Sequence, residues 1–400
     1  MPRSRRLSLL AAILLVALTV RLVGLQFGLP FAYARPDETE AAGPAVTYLL
    51  SGSLRPQFFQ WPSLFSYIVA GLYALYGGVL TGHASLADFL NSRYQWFAPF
   101  LLIPRGFSVF AGVMTVAAVY ALGRRLFDDA VALVAALFLA LAFLHVRDSH
   151  FGMTDVTMTL LVVLAVRAAV GWQRRGGVIP AAWAGLLVGL AGSTKYNGLA
   201  VGAAFAVAAG VRLANDASAL KATVAATIAF AIGVAAGFFG ASPYIIIDWS
   251  RFLADIGTVQ DTMVTGHGGM RISRGWIYFG TTILPAALGW PVLIASLAGI
   301  IGLLRRPRVS ATLLAFPIAY YLYAGQSYSV FARYIEPVLP FLCLTAAWMV
   351  VQLARAIAAD RGETARGVAI AALALLFVAP PAWAAIQLDR LLSKTDNRVV

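Results

Sequence analysis

The run LLAAILLVALTVRLVGLQFGLPFAYA, residues 9–34, leads straight into RPDETEAA, residues 35–42. The first part is long and apolar enough for a helix that crosses a bilayer, which needs about 20 such residues. The second places a proline and three carboxylates where that helix would leave the membrane. Apolar windows of the same kind recur along the chain with only short polar gaps between them. The 400 residues are 60% hydrophobic and 12% charged, with a mean hydropathy of +0.81. Such a composition excludes an ordinary soluble domain. It predicts an all-α, polytopic integral membrane protein, a single transmembrane domain over residues 1–400 with no separate soluble domain.

The formal net charge of +13 would suggest nucleic acid in a soluble chain. Here the Lys and Arg residues fall in short clusters between apolar windows, which is how topology signals look, so no nucleic-acid partner is expected. Cys343, the one cysteine, lies inside FLCLTAAWMV, which leaves neither a disulfide framework nor a thiolate metal site. The N-terminus MPRSRRLSLLAAILL resembles a signal peptide, with Ala32–Ala34 (AYA) as a cleavage-like tripeptide well past the apolar core; an uncleaved anchor is expected.

Apolar windows at 7–29, 105–122, 130–146, 156–172, 180–193, 197–212, 222–241, 276–303, 310–325, 335–354 and 367–386 predict about eleven transmembrane helices. With a cytoplasmic N-terminus, the turns GRRLFDD, QRRGG, VRLANDASALK, LRRPRV and ARAIAADRGETARG all fall inside, as the positive-inside rule asks. The segment 61–82 is apolar enough to span, but spanning would move every later basic turn outside. It is expected to lie in the outer interface, within a long first outer loop at 30–104 that contains interfacial helices. A second sizeable outer loop is expected at 242–275.

This topology gathers four polar clusters on the outer face: RPDETE, RDSHFGMTD (147–155), STKYN (193–197) and SYSVFARYIEP (327–337). Each sits at a helix end, so each also has a bland reading, with Arg147 or Arg333 reaching for water and Asp155 capping a helix. Pro36 suits the first turn of a helix, and Asp37 and Glu38 behind it would be stabilised by the helix dipole. Arg35 favours an ionised Asp37, a carboxylate suited to accept a proton from a hydroxyl that attacks a lipid-borne electrophile. Lys195 interrupts GLLVGLAGSTKYNGLAVGAAF, and broken apolar segments mark places where polar groups line a site. Arg105 and Arg333 begin helices on the same face, and three cations at one level suit a phosphate group.

The ordered set RPDETEAAGPAVTYLLSGSLRP, QWPSLFSYIVAGLYALYG, PRGFSVFAGVMTVAAVYALGRRLF, SHFGMTDVTMTLLVVLAV, GLLVGLAGSTKYNGL and RYIEPVLPFLCLTAA resembles the GT-C superfamily of membrane glycosyltransferases. It is most similar to the aminoarabinose transferase and protein O-mannosyltransferase branch. The resemblance implies an inverting transfer from a polyprenyl-phosphate sugar donor to a lipid, glycan or protein acceptor, with Asp37 as catalytic base and Glu38 as a second acid that orients the acceptor. It places Arg105, Lys195, Arg333 and Tyr334 at the donor phosphate and Asp155 in the second acidic loop. Oligosaccharyltransferase relatives carry a paired acidic motif there that binds a divalent cation, but Thr157 stands where the second acid would be. No cofactor is certain and a divalent cation stays open, with Asp148 and His150 as the residues that could compensate. The high Ala, Leu, Val and Arg content of a compact chain suggests a bacterial source, which makes the expected location an inner membrane with the site on the periplasmic or extracellular face. Neither sugar nor acceptor is legible. A secondary transporter with a polar site around Lys195 is the rival reading, and a lipid-binding or scaffold protein without chemistry is a third.

Overall fold

The computed structural model describes residues 2–29, 35–80, 86–91, 98–266 and 273–394, and among these the chain is helical with no strand. The tripeptide Ala32–Ala34 and the end of the 61–82 segment lie outside the described residues. Helix α1 (Arg3–Leu22) is followed by the shorter α2 (Pro36–Ser51), α3 (Leu64–Leu75) and α4 (Leu86–Asn91). The first half of the bundle is α5 (Ala98–Leu126), α6 (Asp129–Ala140), α7 (Phe143–Ser149), α8 (Thr154–Arg175) and α9 (Val178–Thr194), then α10 (Gly202–Asn215) and α11 (Leu220–Ala241). Helices α12 (Tyr244–Ile247), α13 (Trp249–Thr265) and α14 (Gly275–Tyr278) lead to α15 (Leu284–Leu303), α16 (Pro307–Ala324), α17 (Leu339–Ile357) and α18 (Glu363–Leu392). Short 3₁₀ segments at Tyr196–Val201 and Ala332–Val338 introduce α10 and α17.

Each of the eleven apolar windows overlaps a described helix, the first running past the end of α1, but the count of spans is smaller by length and composition. Seven described helical stretches are long and apolar enough to cross a membrane, or eight if α6 and α7, bent by 58° at their junction, form one span. Helix α1 carries four arginines, and α9 is only 17 residues long. The stretch Leu64–Gly78 is also short. At 1.5 Å per residue it covers roughly 22 Å, less than the ~30 Å hydrocarbon core.

Local chemistry sets several boundaries. Pro36 occupies the first turn of α2, and Gly52 ends that helix in the left-handed region at φ 65°. Asp128 caps α6 by accepting from the backbone N–H groups of Ala130 and Val131 at 2.9 and 3.1 Å. Helix α15 breaks at Gly289, where φ is 70°, against Pro380 and Pro381 of α18.

The closest helix pair is α9 with α11, and glycine makes it so. A Cβ added to Gly185 or Gly189 would lie 2.0 Å from the Phe230 carbonyl oxygen or 2.3 Å from that of Val234; one on Gly233 or Gly237 would meet Ala182 and Leu186 at 2.2 and 2.4 Å. Small residues four apart on both partners are the packing device of membrane helices, where no hydrophobic force drives association. Gly189→Leu is therefore expected to destabilise the fold by at least ~1–3 kcal/mol, seen as a lower unfolding temperature in detergent. Gly210→Ala, which adds its methyl to open space, serves as the neutral control.

The two ends of the bundle differ in chemistry. At one end lie the basic turns: Arg6 and Arg124 share Asp129 at 3.1 and 2.7 Å, and Arg355 holds Asp128 at 2.7 Å. Nearby, Gln173 takes a hydrogen bond from Thr312 at 2.6 Å and donates to the Arg308 carbonyl. The start of α2, the start of α8, the end of α9 and the segment before α17 meet at the other end.

Candidate active site

Asp37 and Glu38 are adjacent in the first turn of α2, so they leave the helix about 100° apart. Glu38 turns inward and is fully buried. Its two oxygens accept from Arg105 Nε and Nη2 at 2.9 and 2.7 Å, and the Gly152 N–H adds a third bond at 2.7 Å. Arg105 also donates from Nη1 to the carbonyls of Leu25 and Phe27 at 2.8 and 3.0 Å, with its guanidinium 3.9 Å over the Phe27 ring. This bidentate pair ties α2 to α5, to the turn after α1 and to the loop before α8. Arg105 and Glu38 are both fully buried, Arg105 with four of its five N–H donors bonded and Glu38 with both oxygens accepting, and the pair lies apart from the contact network of Asp37.

Asp37 points the other way, with its side chain 38% exposed. Its Oδ2 lies 3.0 Å from Arg333 Nη1 and 3.9 Å from Arg35 Nη2. Arg333 reaches on to Asp155 Oδ2 at 3.8 Å, and Lys195 Nζ meets Asp155 Oδ1 at 2.5 Å. The Lys195 ammonium is 4.6 Å from the Tyr334 ring centroid, and the Arg333 guanidinium is 4.6 Å from that of Phe331. Asp155 opens α8, Lys195 ends α9 and Arg333 lies in the 3₁₀ segment before α17. The structure thus brings Asp37, Asp155, Lys195, Arg333 and Tyr334 into one contact network. Beside it Arg147 binds Asp148 at 2.7 Å, and Arg35 lies 4.4 Å over the Phe151 ring. Burial first, and the nearby Arg333 charge second, draw the Arg35 guanidinium below its usual range. Four cations face three carboxylates here, leaving one positive charge for an anionic ligand.

His150 does not join this cluster. Its Nδ1 and Nε2 each lie 2.9 Å from a backbone carbonyl oxygen, of Val146 and Val23, so the ring fastens the end of α7 to the end of α1. It is not placed as a metal ligand beside Asp148. Asp37, Asp148 and Asp155 each already hold a cationic side chain. Among the described residues no group of three His, Cys, Asp or Glu side chains converges as a metal site would require.

Sequence reasoning missed the polar groups beneath the site. Arg21 is fully buried; it donates to Ser149 Oγ at 3.1 Å and to the carbonyls of Ala17 and Ala140 at 2.9 Å each. His145 Nδ1 lies 2.8 Å from Glu336 Oε1, both fully buried, which fastens the segment carrying Arg333 to α7. The signal for both was a lone ionisable residue inside an apolar window, since such groups are costly at depth unless partnered.

These features define a polytopic helical membrane protein with a mixed-charge site at one end of its bundle. Its architecture is the GT-C fold. An oligosaccharyltransferase from Archaeoglobus fulgidus in the apo form superimposes with a TM-score of 0.64 at 15% identity, over 98% of this chain and 56% of that one. ArnT from Cupriavidus metallidurans bound to undecaprenyl phosphate matches with a TM-score of 0.62 at 17% identity, over 98% of this chain and 77% of that one. The oligosaccharyltransferase AglB of A. fulgidus, in complex with an inhibitory peptide and a dolichol-phosphate, gives 0.59 at 14% identity, over 98% and 56%. The chain thus spans little more than half the length of the oligosaccharyltransferase it matches. Residues 104–247 match the family model of dolichyl-phosphate-mannose-protein mannosyltransferase. No curated protein sequence matches the chain.

Proposed function

We propose that this chain is an inverting glycosyltransferase that moves a sugar from a polyprenyl-phosphate carrier to an acceptor hydroxyl at the outer face of a bacterial inner membrane. One observation carries the reading: Asp37, an exposed carboxylate, shares Arg333 with Asp155, whose other partner is Lys195. A base and two cations suited to a phosphate thus stand in one network. The undecaprenyl phosphate bound by ArnT and the dolichol-phosphate bound by AglB support a carrier of this class. So does an open apolar groove of about 570 Å³ between α10 and α16, lined by Ala203, Val207, Leu314, Ala315, Ile318 and Leu322. Near its upper end Tyr320 accepts a hydrogen bond from Asn197 at 2.7 Å, two residues beyond Lys195. In this reading the isoprenoid chain lies in the groove and its phosphate at Lys195 and Arg333. Basic turns at the opposite end of the bundle favour the outer face for the site.

In this mechanism Asp37 accepts the proton of the acceptor hydroxyl as its oxygen attacks the anomeric carbon opposite the phosphate. The bond from that carbon to the phosphate oxygen breaks, and the electron pair leaves with the phosphate, held by Arg333 and Lys195. A phosphate departs as a stable anion, so no second carboxyl is needed to protonate it, unlike a glycosidic oxygen. Cations fixed in place before the reaction supply most of the stabilisation. Asp155 is the positioning residue that orients both.

The test uses purified protein, a panel of polyprenyl-phosphate sugars labelled in the sugar, and an envelope membrane fraction as acceptor. Labelled product with the anomeric configuration opposite to the donor is the expected result. Retention of configuration overturns Asp37 as a simple base, and solute accumulation in proteoliposomes without transfer indicates a transporter.

A further inference from the structure

At the end of the bundle opposite the site, one group of arginines has no carboxylate to answer it. Arg6, Arg124 and Arg355 are paired there with Asp128 or Asp129. Arg125, Arg167, Arg174 and Arg175 form no ion pair among the described residues. The charges that act on Arg125 are those of Arg167, Arg175 and Arg174, all of its own sign. On α8, residues 167, 171, 174 and 175 share one face by the three- and four-residue spacing of a helix. Gly171 leaves a notch in that face, and the Arg125 guanidinium of α5 lies in it: a Cβ at 171 would stand 2.3 Å from Arg125 Nη1. From the notch Arg125 Nη1 donates to the Arg167 carbonyl at 3.1 Å.

Arg125, Arg174 and Arg175 close their helices, where basic residues commonly set the orientation of a membrane chain. Arg167 has no such explanation. It lies two turns inside α8, about 12 Å from the end of that helix at 1.5 Å per residue. Its Nε is buried with no hydrogen-bond partner among the described residues. A cation at that depth is costly unless a counter-charge reaches it. Further from the basic end the same two faces turn apolar. On α5, Met114 and Phe110 are 41% and 58% exposed, and on α8, Leu164 and Leu160 are half-buried. The seam thus offers positive charge at one end and an apolar track leading away from it.

We propose that the seam between α5 and α8 binds one anionic phospholipid from the leaflet at the basic end. Its phosphodiester lies among Arg125, Arg167 and Arg174, and an acyl chain runs along Met114 and Leu164. Basic pockets between helices at this level suit anionic head groups, and guanidinium forks match phosphate oxygens. Arg125 is already fixed by its bond to α8, which lowers the ordering cost of binding. A free phosphate would meet the charges and leave the apolar faces uncovered. A zwitterionic lipid would cover those faces and bring its own ammonium against the arginines. The bound lipid relieves the repulsion between α5 and α8, whose other ends carry Arg105 and Asp155. None of this depends on the transferase reading.

The test is native mass spectrometry of the full chain, stripped of lipid in detergent and titrated with phosphatidylglycerol or phosphatidylcholine of the same acyl chains. The wild type is expected to retain one phosphatidylglycerol molecule under conditions that remove phosphatidylcholine. Arg125→Gln, Arg167→Gln and Arg174→Gln should each weaken that retention by about five-fold. Gly171→Ala, which displaces the Arg125 guanidinium and leaves the net charge unchanged, should weaken it as well. Arg305→Gln removes the same charge from an exposed position outside the cluster and should leave retention as it is. The unfolding temperature of the wild type should rise with phosphatidylglycerol and not with phosphatidylcholine, a readout that needs no variant. Equal retention of the two lipids by the wild type overturns the proposal. So does a loss in Arg305→Gln as large as that in Arg167→Gln, which makes the attraction one of net charge. Full competition by inorganic phosphate overturns the lipid and leaves an anion site.

Discussion

Asp37→Asn is expected to lower the rate of labelled-sugar transfer by about 10²- to 10⁴-fold at saturating donor, the range for removing a positioned general base. The amide keeps the shape of the carboxylate and its contact distance to Arg333, so the loss reports proton acceptance and charge rather than packing. Thermal stability should change little, because a pair exposed on the carboxylate side contributes about 0–1 kcal/mol. Asp37→Glu should retain more activity than Asn, since it keeps the base and only misplaces it. Loss of just a few-fold in Asp37→Asn would remove Asp37 from the role.

Glu38→Ala, one residue on, should do something different. It strips the buried Arg105 guanidinium of its counter-charge while leaving it walled in by Leu25, Phe27 and α5. Breaking a buried pair from one side costs about 3–5 kcal/mol, so a large fall in unfolding temperature is expected. Replacing both partners with apolar residues of similar volume, Glu38→Leu with Arg105→Met, should recover most of the loss. The readout separates two roles for Glu38. Wild-type stability with lost acceptor binding would return it to the catalytic surface; instability rescued by the double replacement makes it a clamp.

The contrast between these neighbours shows where sequence reading reached its limit. Apolar windows and the side of the basic turns located the helices, because hydropathy over some twenty residues is a strong local signal. They also placed Asp37, Asp155, Lys195 and Arg333 at one end, since each lies at a helix terminus whose side topology fixes. What they could not resolve was direction around a helix. Asp37 and Glu38 lie in the same turn, and only the tertiary position of Arg105, 67 residues away, decides which is buried. The same holds for the chain between α2 and α3, whose bonds to Asp248 and Asp255 span 193 and 196 residues. His145 with Glu336 and Arg21 with Ser149 are likewise pairings between distant segments, invisible to any local window. The number of spans differs from the eleven windows for another reason: arginines in α1 and the short α9 give helices that fall short of the length or apolarity that marks a crossing.

The two cations proposed to hold the phosphate belong to the last turn of one helix and the entry segment of another, Lys195 closing α9 and Arg333 leading into α17. Their depth is thus written into the covalent register of the bundle, like a mark on a ruler, and does not depend on how far a lipid reaches below it. If the carrier binds as proposed, a longer or shorter isoprenoid tail would change how firmly it is retained by the membrane and the groove, while its head group would stop at the same level beside Asp37. Turnover by the bound carrier should accordingly be tolerant of tail length, and discrimination among carriers should fall on the few units nearest the phosphate.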